Sequence, residues 1–220
     1  MKKITMLIIL LSVSLLHASG GFGGLFIPYA MPDLETINER IEGYSYNTFS
    51  TEGIIGLGGM GVALIDNFII GGEGFSTNRM TESDSYKLNY TLHSGFFDMG
   101  YGYTLLNRFN LMGIIGVGGS GSTLEFTQMT SDVTFDSLLV DPGRLSKISY
   151  TSFSFNLSAG IQVFEMGADF VHILLRGGVI YQINDPNWKF ENGGEVFDGP
   201  KMDKAIPYAG LTLLFGGRSK

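Results

Sequence analysis

The chain has 220 residues, of which charged types make up 16%, aromatic types 13% and glycine 32 positions. A formal net charge of −7 without any basic run excludes a phosphate-binding nucleic-acid surface, and the count of zero cysteines excludes a disulfide framework. So little charge, against about 25% in soluble globular domains, points away from a fully solvated surface.

The first element is Lys2-Lys3 followed by the apolar run Ile4 to Leu16 and the small-residue region His17-Ala18-Ser19. This is the pattern of a secretory signal peptide. The run is too short for a spanning helix of about 20 residues, so 1–18 is expected to be removed after Ala18, leaving 19–220 as a single domain. Next, Gly20 to Ala30 (GGFGGLFIPYA) is expected to be a strand, for the topological reason given below. After it, MPDLETINERIEG predicts a short amphipathic helix near 33–42. Pro32-Asp33 is a start signal, Leu34, Ile37 and Ile41 share one face, and Gly43 is a stop signal. Such a helix is expected to lie as a lid over one end of the domain.

Gly56-Leu57-Gly58-Gly59-Met60-Gly61 fits the dinucleotide-binding pattern G-x-G-x-x-G. That fingerprint requires a helix after the last glycine, because the pyrophosphate sits on the helix N-terminus. Here VALIDNFIIGGEGF follows, with strand-forming residues on either side of an Asp66-Asn67 turn. The pattern recurs at Gly116 to Gly121, again within a strand-like run, so no nucleotide or other cofactor is expected. Gly71-Gly72, Gly100, Gly102 and Gly177-Gly178 are instead expected where backbones or large side chains approach closely.

Strands are predicted near 53–65, 67–78, 85–104, 108–127, 148–164, 168–183 and 205–216. The clearest alternation runs from Ser149 to Phe164: Phe153, Phe155, Leu157, Ala159, Ile161 and Val163 alternate with Ser152, Ser154, Asn156, Ser158, Gly160 and Gln162. About 12 alternating residues exceed an ordinary strand and suit a membrane strand of roughly 9 to 11. Leu174 and Ile180 break the same pattern in the next strand. In 85–104 the apolar set changes from Tyr86, Leu88, Tyr90 and Leu92 to Phe97, Met99, Tyr101 and Tyr103, for which a bulge at Ser94-Gly95 is expected. Connections near Asp66, Asn107 and Gly167 are short, whereas 79–84, 128–147 and 184–204 are longer and polar. Short turns at one end and long loops at the other require an even strand count, which 20–30 completes. The predicted fold is an all-β, eight-stranded, antiparallel up-and-down transmembrane β-barrel with one short N-terminal amphipathic helix.

Candidate chemistry is sparse. His93 beside Ser94 suggests a base and nucleophile, but neighbouring strand residues face opposite ways. His172 falls on the polar face with Arg176. A lumenal polar network of Asp98, Asn156, Gln162, His172 and Arg176 is expected, with Glu73 a further partner, in preference to catalysis. Asp185, Glu191, Glu195 and Asp198 surround Trp188 without the spacing of a calcium loop, so solvated loop charges are expected there in preference to a metal site. Tyr44, Tyr46, Tyr101, Tyr103 and Tyr181 are candidates for interfacial girdles.

The Gly-Gly-x-Gly-Gly start, GLGGMG, IIGGEG, GVGGSG, the Asn-Trp-Lys loop and the final LTLLFGG together resemble small Gly-rich bacterial outer-membrane β-barrel proteins. The resemblance covers nearly all of 19–220. It implies an outer-membrane location, contact with outer-membrane lipid, a side-chain-filled lumen and a structural or surface-interaction role with an envelope partner. Two rivals are an outer-membrane lipid-modifying barrel enzyme using His93 or His172, and a soluble lipocalin-like periplasmic barrel binding an apolar ligand. The last reverses the faces, placing Phe155 and Leu157 inside.

Overall fold

The computed structural model describes residues 20–44, 46–105, 109–128, 145–164, 170–185 and 187–218. Its elements are β1 (Gly20–Ala30), α1 (Glu35–Ile41), β2 (Ile54–Ile65), β3 (Phe68–Glu82), β4 (Tyr86–Leu105), β5 (Phe109–Gln128), β6 (Leu145–Phe164), β7 (Val171–Gln182), the two-residue β8 (Lys189–Phe190) and β9 (Ala205–Arg218). Eight strands pair antiparallel with their neighbours in sequence. β1 also pairs with β9, which closes the ring, while β8 hangs on β6.

The register fixes the shape. Directly opposed pairs lead from Asn110 through Gln162, Leu174, Thr212, Phe26, Gly58, Phe75 and Ser94 to Ser120, ten residues further along the strand of departure. A slip of ten residues at about 3.3 Å each, over eight spacings of about 4.8 Å, tilts the strands by roughly 40°.

Period two then sorts the side chains. Leu157 is 64% exposed, whereas its neighbours Asn156 and Ser158 are 0% and 5% exposed. Phe97, Met99, Phe153, Phe155, Leu175 and Leu211 stand on the same outer face. An apolar exterior around a polar interior is the arrangement of a barrel solvated by lipid. The soluble reading, which needs Phe155 and Leu157 inside, is overturned by this assignment.

The expected bulge at Ser94-Gly95 does not occur: β4 keeps continuous register with β3 and β5 through both residues. Leu88, Tyr90, Leu92 and Phe96 all face inward, and what changes along the strand is the surroundings. The connection expected over 79–84 shrinks to 83–85, because β3 runs to Glu82 and Arg79 pairs with Tyr90. Of the connection expected at 128–147, Gln128 belongs to β5 and Leu145 opens β6, while 129–144 lies outside the described residues.

Inside the barrel, apolar layers flank a polar middle. Phe22, Met60, Leu64, Ile69, Ile114 and Leu174 fill the short-turn end. At the long-loop end Leu34, Ile37 and Ile41, on and beside α1, pack with Phe49, Leu88, Tyr90, Leu124 and Ile180. Leu174 and Ile180 therefore break the alternation because each belongs to one of these layers. Asn38 holds the segment after α1 in place, its side chain donating to Phe49 O at 2.9 Å and accepting from Phe49 N at 2.8 Å.

Two glycines of β2 differ by face. A Cβ on inward Gly58 would lie 2.3 Å from Gly74 O and 2.5 Å from Phe75 Cβ, whereas one on outward Gly61 meets nothing within 4 Å. Gly58→Ala is therefore expected to destabilise the barrel. Gly61→Ala is expected to stabilise it by about 0.5 to 1 kcal/mol, by removing chain freedom from the unfolded state. Urea titrations in lipid vesicles check this, and equal shifts for the two variants would contradict it.

Candidate functional site

The centre of the lumen is built on Glu73 of β3 and Arg176 of β7, both buried and joined by a hydrogen-bonded ion pair. Asn156 of β6 donates to Glu73 Oε1 at 2.7 Å and accepts from Tyr208 Oη at 2.9 Å. The guanidinium also lies over the Phe26 ring, 4.3 Å from its centroid, and 5.6 Å from that of Tyr208. Such cation–π contacts strengthen where water is excluded. Phe26, Phe75 and Tyr208 cluster around the pair with centroids 5.6 to 6.1 Å apart, Phe26 edge-on to both of the others and Phe75 tilted against Tyr208.

Asp98 sits diagonally beside Glu73, since Gly71 is its direct partner on β3. It is fully buried, and neither carboxylate oxygen has a hydrogen-bond partner among the described residues. Two acids thus face one guanidinium. His172 is buried nearer the short-turn end, edge-on to Phe22 at 4.8 Å. Gln162 is directly opposed to Asn110, far along the wall from Glu73. The five residues expected in one network thus separate: Asn156 and Arg176 meet through Glu73, Asp98 adjoins them, and Gln162 and His172 belong to a lower level.

Nearer the loops lies a second polar group. Ser120 and Ser154 hydroxyls are 2.7 Å apart, Gln182 Nε2 donates to Ser120 Oγ at 3.0 Å, and Tyr90 Oη and Ser122 Oγ are 2.8 Å apart. Ser152 and Ser154 were legible as polar-face residues, but their partners on other strands had no local signal.

His93 projects outward while Ser94 points inward on the unbroken ladder, so the two do not form a base–nucleophile pair. The four loop acids likewise do not converge. Asp185 pairs with Lys204 at 3.1 Å, Glu191 with Lys147 at 2.8 Å, Glu195 with Lys189 at 3.9 Å and Asp198 with Arg40 at 2.9 Å. Glu191 and Asp198 tie the last long loop to β6 and α1, Asp185 and Glu195 pair with cations of the loop itself, and the described residues contain no cluster of three metal-ligating side chains. Tyr101, Tyr103 and Tyr181 stand on the outer belt. Tyr46 instead packs on Tyr86 and Phe126 under the cap, and Tyr44 is exposed beyond α1.

The Arg40–Asp198 clip is bidentate, at 2.9 and 3.1 Å, and joins α1 to the last loop. Hydrogen bonding from Arg40, then its charge, holds the Asp198 carboxyl below the ordinary carboxylate range. A depressed carboxyl contributes its stability above the unfolded value and loses it as pH falls through the folded value. Acidification is therefore expected to release the clip and shift the emission of Trp188, the single tryptophan, which packs against Gly199 next to Asp198. Asp198→Asn is expected to show the released spectrum already at neutral pH with unchanged far-UV dichroism. Identical spectra for the two proteins across the acid range would contradict the clip.

No protein-family model and no curated protein sequence matches the chain. Among solved structures, a major outer membrane protein from Thermus thermophilus superposes with a TM-score of 0.50 at 10% identity, covering 90% of this chain and 99% of that one. The chain has the fold of a small outer-membrane β-barrel. Two further structures are similar to the barrel at lower scores. Ail, the attachment invasion locus protein of Yersinia pestis, in complex with the heparin analogue sucrose octasulfate, gives a TM-score of 0.47 at 12% identity over 89% and 99% of the two chains. Neisserial surface protein A gives 0.42 at 9% identity over 90% and 96%. A concavity of about 1120 Å³ on the barrel's outside is a trough in the apolar outer belt, where Gly113, Ala159, Gly177 and Ala209 stand side by side on four strands.

Proposed function

We propose that this chain is an exported bacterial outer-membrane barrel with a filled lumen, serving a structural and surface-interaction role. The observation that carries the reading is the combination of an apolar lipid-facing exterior with an interior blocked by Glu73, Arg176 and the rings of Phe26, Phe75 and Tyr208. Eight strands enclose only enough space for side chains, whereas aqueous channels accompany 16 to 18 strands. The signal-like segment 1–18 supports export. The long-loop end, stapled by four ion pairs and capped by α1, supplies an ordered surface for an envelope partner outside the cell, and the belt takes outer-membrane lipid as its solvent.

Reconstitution tests this reading. Purified protein is expected to fold into phospholipid vesicles as a β-rich species, and vesicles loaded with it are expected to swell in arabinose no faster than empty ones. Swelling that scales with protein content would overturn the filled lumen. A monodisperse β-rich state in buffer without lipid or detergent would overturn the membrane assignment.

A further inference from the structure

Two buried charges of the lumen have no side chain opposite them. Asp98 of β4 is directly opposed to Gly71 on β3 and Gly116 on β5, and Arg176 of β7 to Gly160 on β6 and Gly210 on β9. Cross-strand neighbours are where a sheet ordinarily supplies a partner for a charge, and here all four opposing positions are glycine. Gly116, the first glycine of the second G-x-G-x-x-G run, has a definite role in this. The Asp98 carboxylate lies over it, so that a Cβ at Gly116 would collide with Oδ1.

Glu73 satisfies only one edge of the guanidinium. Arg176 Nη2 donates to Glu73, while Nε and Nη1 have no hydrogen-bond partner among the described residues. Both Asp98 oxygens and Thr212 Oγ1 share that condition. Thr212 is diagonal to Arg176, because the residue opposing Arg176 is Gly210, two positions away on the same strand. Asp98 is diagonal to Glu73, the ion-pair partner of Arg176. Five unpartnered polar atoms thus fall on three side chains of one neighbourhood, with Asp98 and Thr212 0% exposed and Arg176 5% exposed. Apolar residues of the same strands close both sides, Ile114 and Leu174 toward the short turns and Phe96 and Ile180 toward the long loops. A buried donor or acceptor without a partner bears its full desolvation cost, and native interiors keep few of them.

The chemistry of the set selects its guest. The guanidinium offers donors, the carboxylate acceptors and the hydroxyl both. A metal ion would meet the guanidinium hydrogens, and an anion would meet the Asp98 carboxylate. Water donates and accepts, and roughly two buried waters making about three hydrogen bonds each serve all of these atoms. We infer that the centre of the lumen binds a small cluster of ordered waters that joins Asp98 to Arg176 and Thr212. The inference rests on the filled-lumen reading, because an open channel would exchange such waters freely with the solvent.

The test counts long-lived waters by magnetic relaxation dispersion of the solvent oxygen nucleus, measured on the full chain folded in micelles. The unaltered chain is expected to hold waters for longer than its own tumbling time. Asp98→Leu, which puts an apolar group of similar size in place of the carboxylate, is expected to lower the dispersion amplitude by roughly two waters. Thr212→Val is expected to lower it by about one, and Thr151→Val on the outer face is expected to leave it unchanged. Far-UV dichroism establishes which variants fold, and the near-isosteric Thr212→Val decides alone should Asp98→Leu not. Equal amplitudes in the unaltered chain and in every folded lumen variant overturn the proposal. So does a stability that rises saturably with sodium or potassium against choline and no longer does so in Asp98→Leu, since the guest is then a cation. Arabinose swelling separates the two readings: swelling defeats the filled lumen, whereas blocked vesicles with an unchanged dispersion defeat the water cluster alone.

Discussion

Leu157→Lys is expected to lower the stability of the barrel in phospholipid vesicles by about 2 to 4 kcal/mol, the cost of a lysine on the lipid face near the bilayer midplane. The side chain is 64% exposed in the middle of β6, between Phe155 and Ala159 on the same outward face. Thr151 shares that strand and face but lies six residues nearer the loops, about 20 Å along the strand. With a tilt of roughly 40°, this places it near the edge of a hydrocarbon core about 30 Å thick. Thr151→Lys is accordingly expected to cost no more than about 1 kcal/mol. Asn156→Lys is not a benign control, although a lumen-facing polar position suggests one, because Asn156 is bonded to both Glu73 and Tyr208. Urea titrations of the variants in vesicles decide the matter. Equal losses for Leu157→Lys and Thr151→Lys would mean that depth in a bilayer does not govern this face.

The strand positions were legible because period two and the turn residues are local signals, and 20–30 was recovered by parity of the crossings. What fills the lumen was not. Along β4 the inward set begins with Leu88, Tyr90 and Leu92 and continues through Ser94, Phe96 and Asp98 without a change of phase. In the upper half these residues pack beneath α1, while their outward neighbours Lys87, Asn89 and Thr91 precede the apolar belt. In the lower half the outward Phe97, Met99 and Tyr101 stand exposed on the apolar belt. Polarity inverts because the surroundings of both faces change, and a single strand carries no record of that. Loop acids present the same limit. Asp198 finds Arg40 across 158 positions and Glu191 finds Lys147 across 44, so composition shows a cluster of acids where folding makes separate clips.

Arg176→Met is expected to cost about 3 to 5 kcal/mol, because removing one member of a buried ion pair leaves uncompensated charge behind. The unusual element is the count: Glu73 and Asp98 face a single guanidinium, whose Nε and Nη1 have no hydrogen-bond partner among the described residues. Losing Arg176 leaves the buried Glu73 carboxylate without its cation, beside the unpartnered Asp98, and removes the cation from the Phe26 and Tyr208 rings. Losing the charge of Glu73 has a different consequence. In Glu73→Gln the carboxamide keeps the shape and still offers an acceptor to Arg176, with Asp98 diagonal to position 73. Glu73→Gln is therefore expected to be clearly milder than Arg176→Met. The double variant Glu73→Gln/Arg176→Met is expected to be less damaged than the sum of the single changes, as for any directly coupled pair. Unfolding titrations of the four proteins in vesicles measure this cycle. Equal costs for the two single variants, or additive behaviour in the double, would show that Asp98 does not share the guanidinium and that the pair is not what closes the lumen.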